Sequence, residues 1–358
     1  MRLLFITLLM ILIHGACEAN ERLELIRAGH AEFIKINGRE VHELKDDVQF
    51  RQGDAFLYCE RALFDIEYDR INLYENVRIY DGKHRLFGDR VIYEGPLKIE
   101  KAFGHVRLEQ DGQLLLADSV IYKQESRLAH AIGNVRITDL IEKATLTGQD
   151  IKYDRIAGYG IALGSPKIIQ QDTSSQDSMI ISGNKMEIWG DDKLAIITDS
   201  VKIVKGDITS SCMFAKFYSV QEKLFLFGSP KMVEQNRYIQ GDSMEIQLDA
   251  SDFKSGIIRG NATILSIDST FEDILKGTKI TMHTETDSNR TVIVERQAEN
   301  VYHVFNDEDE MEGVNDIDGD RILMKFTGKK LTYVRVESTP GESRGKFTPA
   351  NMNKPATE

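Results

Sequence analysis

The 358-residue sequence predicts an all-β protein made of tandem two-strand repeats. Three observations carry that prediction: a self-similar pattern that returns through nearly the whole chain, period-two alternation of apolar residues within it, and turn residues between the alternating runs. Composition agrees with a folded body, at 41% hydrophobic and 28% charged residues with only 6 Pro. A formal charge of -12 and a pI of about 5.3 speak against a nucleic-acid partner, because phosphate affinity rests on clustered Lys and Arg.

The chain opens on Arg2, an apolar run from Leu3 to Ile13, and small residues ending in Ala16, Cys17, Glu18 and Ala19. This order reads as a secretory signal over residues 1–19, and the run is too short to span a bilayer. Cys17 offers an alternative lipoprotein start, although His14 stands where that motif carries Leu. The repeat domain is expected over 20–337. The segment 338–358, with Pro340, Gly341, Gly345, Pro349 and Pro355, is expected to be a disordered tail.

One half of the repeat reads small-x-x-apolar-x-large apolar. Its copies are Cys59, Ala62, Phe64; Gly88, Val91, Tyr93; Ala117, Val120, Tyr122; Gly148, Ile151, Tyr153; and Gly183, Met186, Ile188. Four more begin at Cys212, Gly241, Gly277 and Gly319, and the first steps between copies are 29, 29 and 31 residues. A further first copy is arguable at Ala28, Ala31 and Phe33. The other half places apolar, Gly or acid, Val, Pro or Ala, and large apolar at alternate positions. Its copies include Leu44, Asp46, Val48, Phe50; Leu73, Glu75, Val77, Ile79; Ala102, Gly104, Val106, Leu108; and Ala131, Gly133, Val135, Ile137. Later copies centre on Gly164, Asp199, Gly228 and Gly260, and a degenerate one surrounds Val301.

Each unit of roughly 29 residues is therefore two strands, about nine units in all, with a register that a one-residue slip would invert. If each unit adds one strand spacing of about 4.8 Å to each of two sheets, nine units extend roughly 40 Å. Cys59 and Cys212 then sit about 24 Å apart, beyond the ~7 Å that a disulfide allows, and are predicted unpaired.

The motifs Gly88-Asp89-x-Val91-x-Tyr93, Ala117-Asp118-x-Val120-x-Tyr122 and Gly133-Asn134-Val135-Arg136-Ile137 resemble the OstA-like family. These are periplasmic lipopolysaccharide-transport proteins that include LptA and the N-terminal domain of LptD. The resemblance covers approximately residues 22–336. It implies an elongated, open β-jellyroll whose apolar interior receives acyl chains, in the periplasm of a Gram-negative bacterium. It also implies lipopolysaccharide or a related glycolipid as cargo. Membrane-anchored transport partners at both membranes would join by end-strand β-augmentation, with head-to-tail self-association a further implication. Long insertions at 264–277 and 301–319 depart from the small single-domain carriers.

Carrying an acyl chain through water costs about 0.8 kcal/mol per exposed CH₂, so a long chain represents on the order of 10 kcal/mol that only a continuous apolar groove offsets. Candidate lining residues are Ile79, Leu108, Ile137, Ile168, Ile203 and Ile264 on one wall, and Phe64, Tyr93, Tyr122, Tyr153 and Phe217 on the other. The same residues would also fill a closed structural core. On the opposite parity stands a ladder of bases, Arg78, Arg107, Arg136, Lys167, Lys202 and Lys231. It is either a solvated outer face or a track for anionic headgroups.

No catalytic or metal-binding constellation is evident, and no cofactor is implied. The seven His residues after the signal segment form no HExxH, and there is no GxSxG. The stretch Asp307–Asp320 fails as a calcium loop, since Arg321 stands where Gly is needed and Thr327 where the bidentate Glu belongs. It reads as a solvated insertion. The rival reading is a parallel β-helix enzyme acting on polysaccharide, with carboxylates stacked on neighbouring coils. Asp46 and Glu75 share a slot, but Gly104, Gly133 and Gly164 separate them from Asp199.

Overall fold

The computed structural model describes residues 23–82, 84–171, 178–249, 252–268, 271–286, 289–306, 308, 310–328 and 330–350. The expected signal segment, Cys17 and residues 351–358 lie outside them. The strands pair antiparallel, from β3 with β4 to β23 with β24, and the one helical element among the described residues is the 3₁₀ turn Gly95–Leu97. The chain divides into two compact units.

The N-terminal unit holds β1 (Glu24–Arg27), β2 (His30–Ile36), β3 (Arg39–Gln52), β4 (Ala55–Asp65), β5 (Arg70–Asp81), β6 (His84–Glu94), β7 (Ile99–Gln110) and β8 (Gln113–Lys123). It continues with β9 (Leu128–Asp139), β10 (Ala144–Asp154), β11 (Tyr159–Leu163) and β12 (Lys167–Gln171). After β13 (Ser178–Ser182), which belongs mostly to the other unit, β14 (Lys185–Trp189) completes it. From β3 to β10 each strand pairs with the next. At the ends, β3 takes β1 and β2 side by side, and β10 takes β11 and β12.

Each long strand turns a corner at its midpoint. In the N-terminal unit the corner is a pair of successive left-handed residues: Asp46-Asp47, Glu75-Asn76, Gly104-His105, Gly133-Asn134 and Gly164-Ser165. The intervening strands cross the same line with one residue fewer, so Leu73 and Val77 lie opposite Val91 and Gly88 across a β-bulge. The period-two reading put Asp46 and Glu75 on the inward face. The structure turns both outward, because the two left-handed residues bend the chain away from the interior. Where Pro166 follows the corner it has no N–H to give the ladder, and the strand is split into β11 and β12.

The corner divides every strand between two walls. Interior side chains beyond it run Leu57, Ile79, Leu86, Leu108, Leu115, Ile137, Leu146, Ile168 in register, an aliphatic wall. Those before it run Phe64, Ile71, Tyr93, Glu100, Tyr122, Ala129, Tyr153, Gly160, an aromatic wall. The walls face one another, with the rings of Phe50 and Phe64 6.5 Å apart. Since the two strands of one repeat are neighbours that each cross both walls, a repeat advances the sheet by two spacings, about 9.6 Å, not the single spacing expected.

The C-terminal unit contains most of β13, then β15 (Leu194–Lys205), β16 (Ile208–Tyr218), β17 (Lys223–Phe227), β18 (Lys231–Glu234), β19 (Arg237–Gln240), β20 (Ser243–Asp249) and β21 (Asp252–Ile267). It ends with β22 (Glu272–Thr286), β23 (Asn289–Phe305), β24 (Met311–Thr327), β25 (Lys330–Glu337) and β26 (Arg344–Pro349). Corners recur at Asp199-Ser200, Gly228-Ser229, Gly260-Asn261 and Arg296-Gln297. The last marks the degenerate copy, a few residues before Val301. Both expected insertions lengthen strands: 264–277 extends β21 and β22, and most of 301–319 builds β23 and β24. Asp316 and Asp318 therefore pair in a ladder instead of forming a solvated loop. Within the expected tail, Arg344–Pro349 pairs with β24.

Candidate functional site

The corner is built by a partnership between adjacent strands. A Cβ on Gly104 or Gly133, both at positive φ, would run into the carboxylates of Asp89 and Asp118. Those acids reach the second corner residue: His105 Nδ1 lies 2.8 Å from Asp89 Oδ2, and Asn134 Nδ2 donates to Asp118 Oδ2 at 3.0 Å. Asn261 repeats the contact with Asp242 in the C-terminal unit. At these three corners the Asp of one strand and the Gly-His or Gly-Asn pair of the next fix the bend together.

The candidate lining residues differ in burial. Ile79, Leu108, Ile137 and Ile168 on the aliphatic wall are buried. On the aromatic wall Tyr122 is buried, whereas Phe64, Tyr93 and Tyr153 are half-buried near the strand ends. In the C-terminal unit Ile203 and Phe217 are buried and Ile264 is half-buried. Sequence reasoning missed Leu57, Leu86, Leu115 and Leu146, which supply every second rung of the aliphatic wall. Their signal was available: each stands two residues before the small residue of its motif.

The interior is occupied by its own side chains. Leu86 and Val48 are 0% exposed and Phe50 and Ile137 1%. A small apolar pocket remains where Leu146 faces Ile151, Tyr153, Ala162 and Ile188. Several buried polar groups interrupt the apolar interior, among them Asp81, Asp139 and Gln170 past the aliphatic wall and Glu100 within the aromatic one. Glu100 lies between Tyr93 and Tyr122 in register and is 1% exposed. Gln124 Nε2 donates to its Oε1 at 2.6 Å, while Oε2 has no hydrogen-bond partner. Burial pushes its carboxyl up to about 8, with the Gln124 bond pulling the other way. Burial also raises the neighbouring Tyr122 phenol, as it does Tyr153. Cys59 and Cys212 are buried free thiols, and burial holds Cys59 at about 12, so the thiol acts as a small apolar filler.

All six residues of the predicted base ladder are exposed, on the face opposite the interior. In the N-terminal unit the outer surface of the aliphatic wall carries two rows. The row nearer the corner reads Gln49, Tyr58, Arg78, Phe87, Arg107, Leu116, Arg136, Thr147, Lys167. The next reads Arg51, Phe56, Tyr80, Arg85, Glu109, Leu114, Thr138, Thr145, Ile169. Consecutive bases are therefore two strands apart with an apolar or hydroxyl side chain between them, not one strand apart as expected. Lys202 and Lys231 lie in the C-terminal unit, where Ser211 and Gln240 flank Lys231.

The architecture is that of a corner-bent, antiparallel β repeat protein with an apolar interior. The chain belongs to the OstA-like protein family, which matches residues 20–122 and 99–209, more than half of the sequence. Among solved structures, LptH from Pseudomonas aeruginosa, described as the LptA-homologous periplasmic component of a conserved lipopolysaccharide transport device, is similar at 16% identity. That likeness covers 30% of this chain and 76% of that one, with a TM-score of 0.28. No curated protein matches the chain.

Proposed function

We propose that the protein is a periplasmic lipid-transfer protein that takes the acyl chains of lipopolysaccharide or a related glycolipid between its two walls, on the way to the outer membrane. Membership of the OstA-like family is the observation that carries the reading. The continuity of the two apolar walls agrees with it. In the N-terminal unit Ile79, Leu108, Ile137 and Ile168 would line one side, and Phe64, Tyr93, Tyr122 and Tyr153 the other. Ile203, Phe217 and Ile264 would do so in the C-terminal unit.

Because the interior is filled, uptake requires the walls to part along the half-buried aromatic edge, at Phe64, Tyr93 and Tyr153. Each CH₂ transferred from water returns about 0.8 kcal/mol, so a long acyl chain supplies enough to offset separating walls held by contacts of similar kind. The outermost strands suit partner docking by β-augmentation: Glu24–Arg27 is exposed throughout, and Phe33 of β2 is 72% exposed. Strands β25 and β26 are likewise largely exposed.

The completeness of interior packing favours a second reading, a structural scaffold with a permanently closed core. A fluorescent fatty-acyl probe separates the two. Saturable uptake, displaced by lipopolysaccharide and not by its deacylated form, is expected. Absence of saturable uptake would leave the scaffold, and release of reducing sugar from polysaccharide would instead indicate an enzyme.

A further inference from the structure

We propose that the outer face of the aliphatic wall in the N-terminal unit docks on a lipid bilayer through its phosphate headgroups. This surface is separated from the interior by the sheet itself, because Arg78 and Ile79, like Arg136 and Ile137, point to opposite faces. It therefore goes beyond cargo binding and stands without it.

Charge carries the argument. The two outer rows hold six bases, Arg51, Arg78, Arg85, Arg107, Arg136 and Lys167, against one acid, Glu109, in a chain with a formal charge of -12. Glu109 is shared by Arg85 and Arg107. Among the described residues Arg78, Arg136 and Lys167 make no ion pair. The outer face of the aromatic wall shows how the same sheet is neutralised elsewhere. There Glu43 pairs with Lys45 and Arg61, Glu94 with Arg70 and Lys101, and Glu187 with Lys185. The two faces thus differ in charge balance: the aliphatic wall sets six bases around one acid, whereas on the aromatic wall acids stand beside most of the bases, Arg90 and Lys123 being without an ion pair there among the described residues.

The interleaved side chains choose the occupant. Arg78 lies over the ring of Tyr58 at 5.6 Å and Arg107 over that of Phe87 at 5.8 Å, with Tyr80 packed edge-on against both rings. Arg and aromatic side chains alternating over a sheet surface match the mixed polar and apolar chemistry at headgroup depth, where aromatic rings settle and bases meet phosphate. An acidic protein surface would use the charges and leave the rings without a partner.

The test is cosedimentation of the full chain with vesicles of phosphatidylglycerol in phosphatidylcholine, against phosphatidylcholine alone. Binding to the anionic vesicles only, weakening as salt rises, is expected. Removing one base should lower affinity about fivefold, and the triple variant R78E/R107E/R136E should lower it at least a hundredfold. The triple variant R70E/K123E/K152E, with the same change of net charge on the other wall, should bind nearly as wild type, and R78K/R107K/R136K should retain binding. Equal loss in both charge-reversal variants, or no vesicle binding by the wild type, overturns the proposal. So does capture of an acidic protein by the wild type and not by R78E/R107E/R136E when neither binds vesicles. Fatty-acyl probe uptake measured in R78E/R107E/R136E should be unchanged, which keeps failure of this proposal apart from failure of the cargo reading.

Discussion

Glu100 is the residue whose chemistry differs most from its sequence setting. In sequence it is one acid among 57, beside a turn. The register that turns Ala102 inward also turns Glu100 inward, between two tyrosines, and the 3₁₀ turn Gly95–Leu97 precedes its strand. That placement depends on which residue of the strand starts the ladder, so it was not legible from residue type. It makes stability pH-dependent in a defined direction. The folded carboxyl ionises at about 8 and the unfolded one near the ordinary 4.5. Between those values the folded state binds more protons, so this group's contribution is full below about 4.5, is lost as pH rises, and is level again above about 8. The loss is on the order of a few kcal/mol. Urea unfolding across pH 4 to 9 should show wild-type stability falling through this window, and Glu100→Gln should flatten the fall. An unchanged slope in the variant would contradict the assignment.

At the scale of the strand, the corner is the element that makes a sheet into two walls. The repeat was legible because it depends on side-chain type at fixed offsets. The corner was present in the same letters as a phase break, small and apolar residues three apart where period two requires an even step, as in Gly88 and Val91. Its meaning was not legible, since Asp, Glu, Asn, Gly and Arg all occupy the left-handed positions and share only backbone geometry. This is why Asp46 and Glu75 were placed inward and why the last corner, at Arg296-Gln297, was not seen. Gly104 tests the device: it combines positive φ with an Asp89 carboxylate that fills the space of a Cβ. Gly104→Ala should cost about 1–3 kcal/mol in denaturant unfolding. Adding Asp89→Ala should return part of that loss if the clash contributes, and none if the cost is wholly one of backbone conformation.

Over the molecule, the fold class was legible and the length of its parts was not. Period two identifies strands without saying which strands are neighbours, so one repeat could advance a sheet by one spacing or by two. The register fixes two. The same ambiguity made the stretches after Ile264 and Val301 look like insertions, when ladder pairing carries β21 through β24 across them. Parity placed Asp46 and Glu75 on the wrong face, since it carries no sign of the corner, and the aliphatic rungs two residues before each small position were overlooked. What parity cannot reveal is whether two facing apolar walls separate. A photoactivatable residue placed at Ile137, facing in, or at its neighbour Arg136, facing out, answers that question on one repeat in the presence of lipopolysaccharide. The account predicts a crosslink to the acyl portion from position 137 and none to it from position 136. No acyl crosslink from 137, or equal crosslinking from both positions, would contradict it.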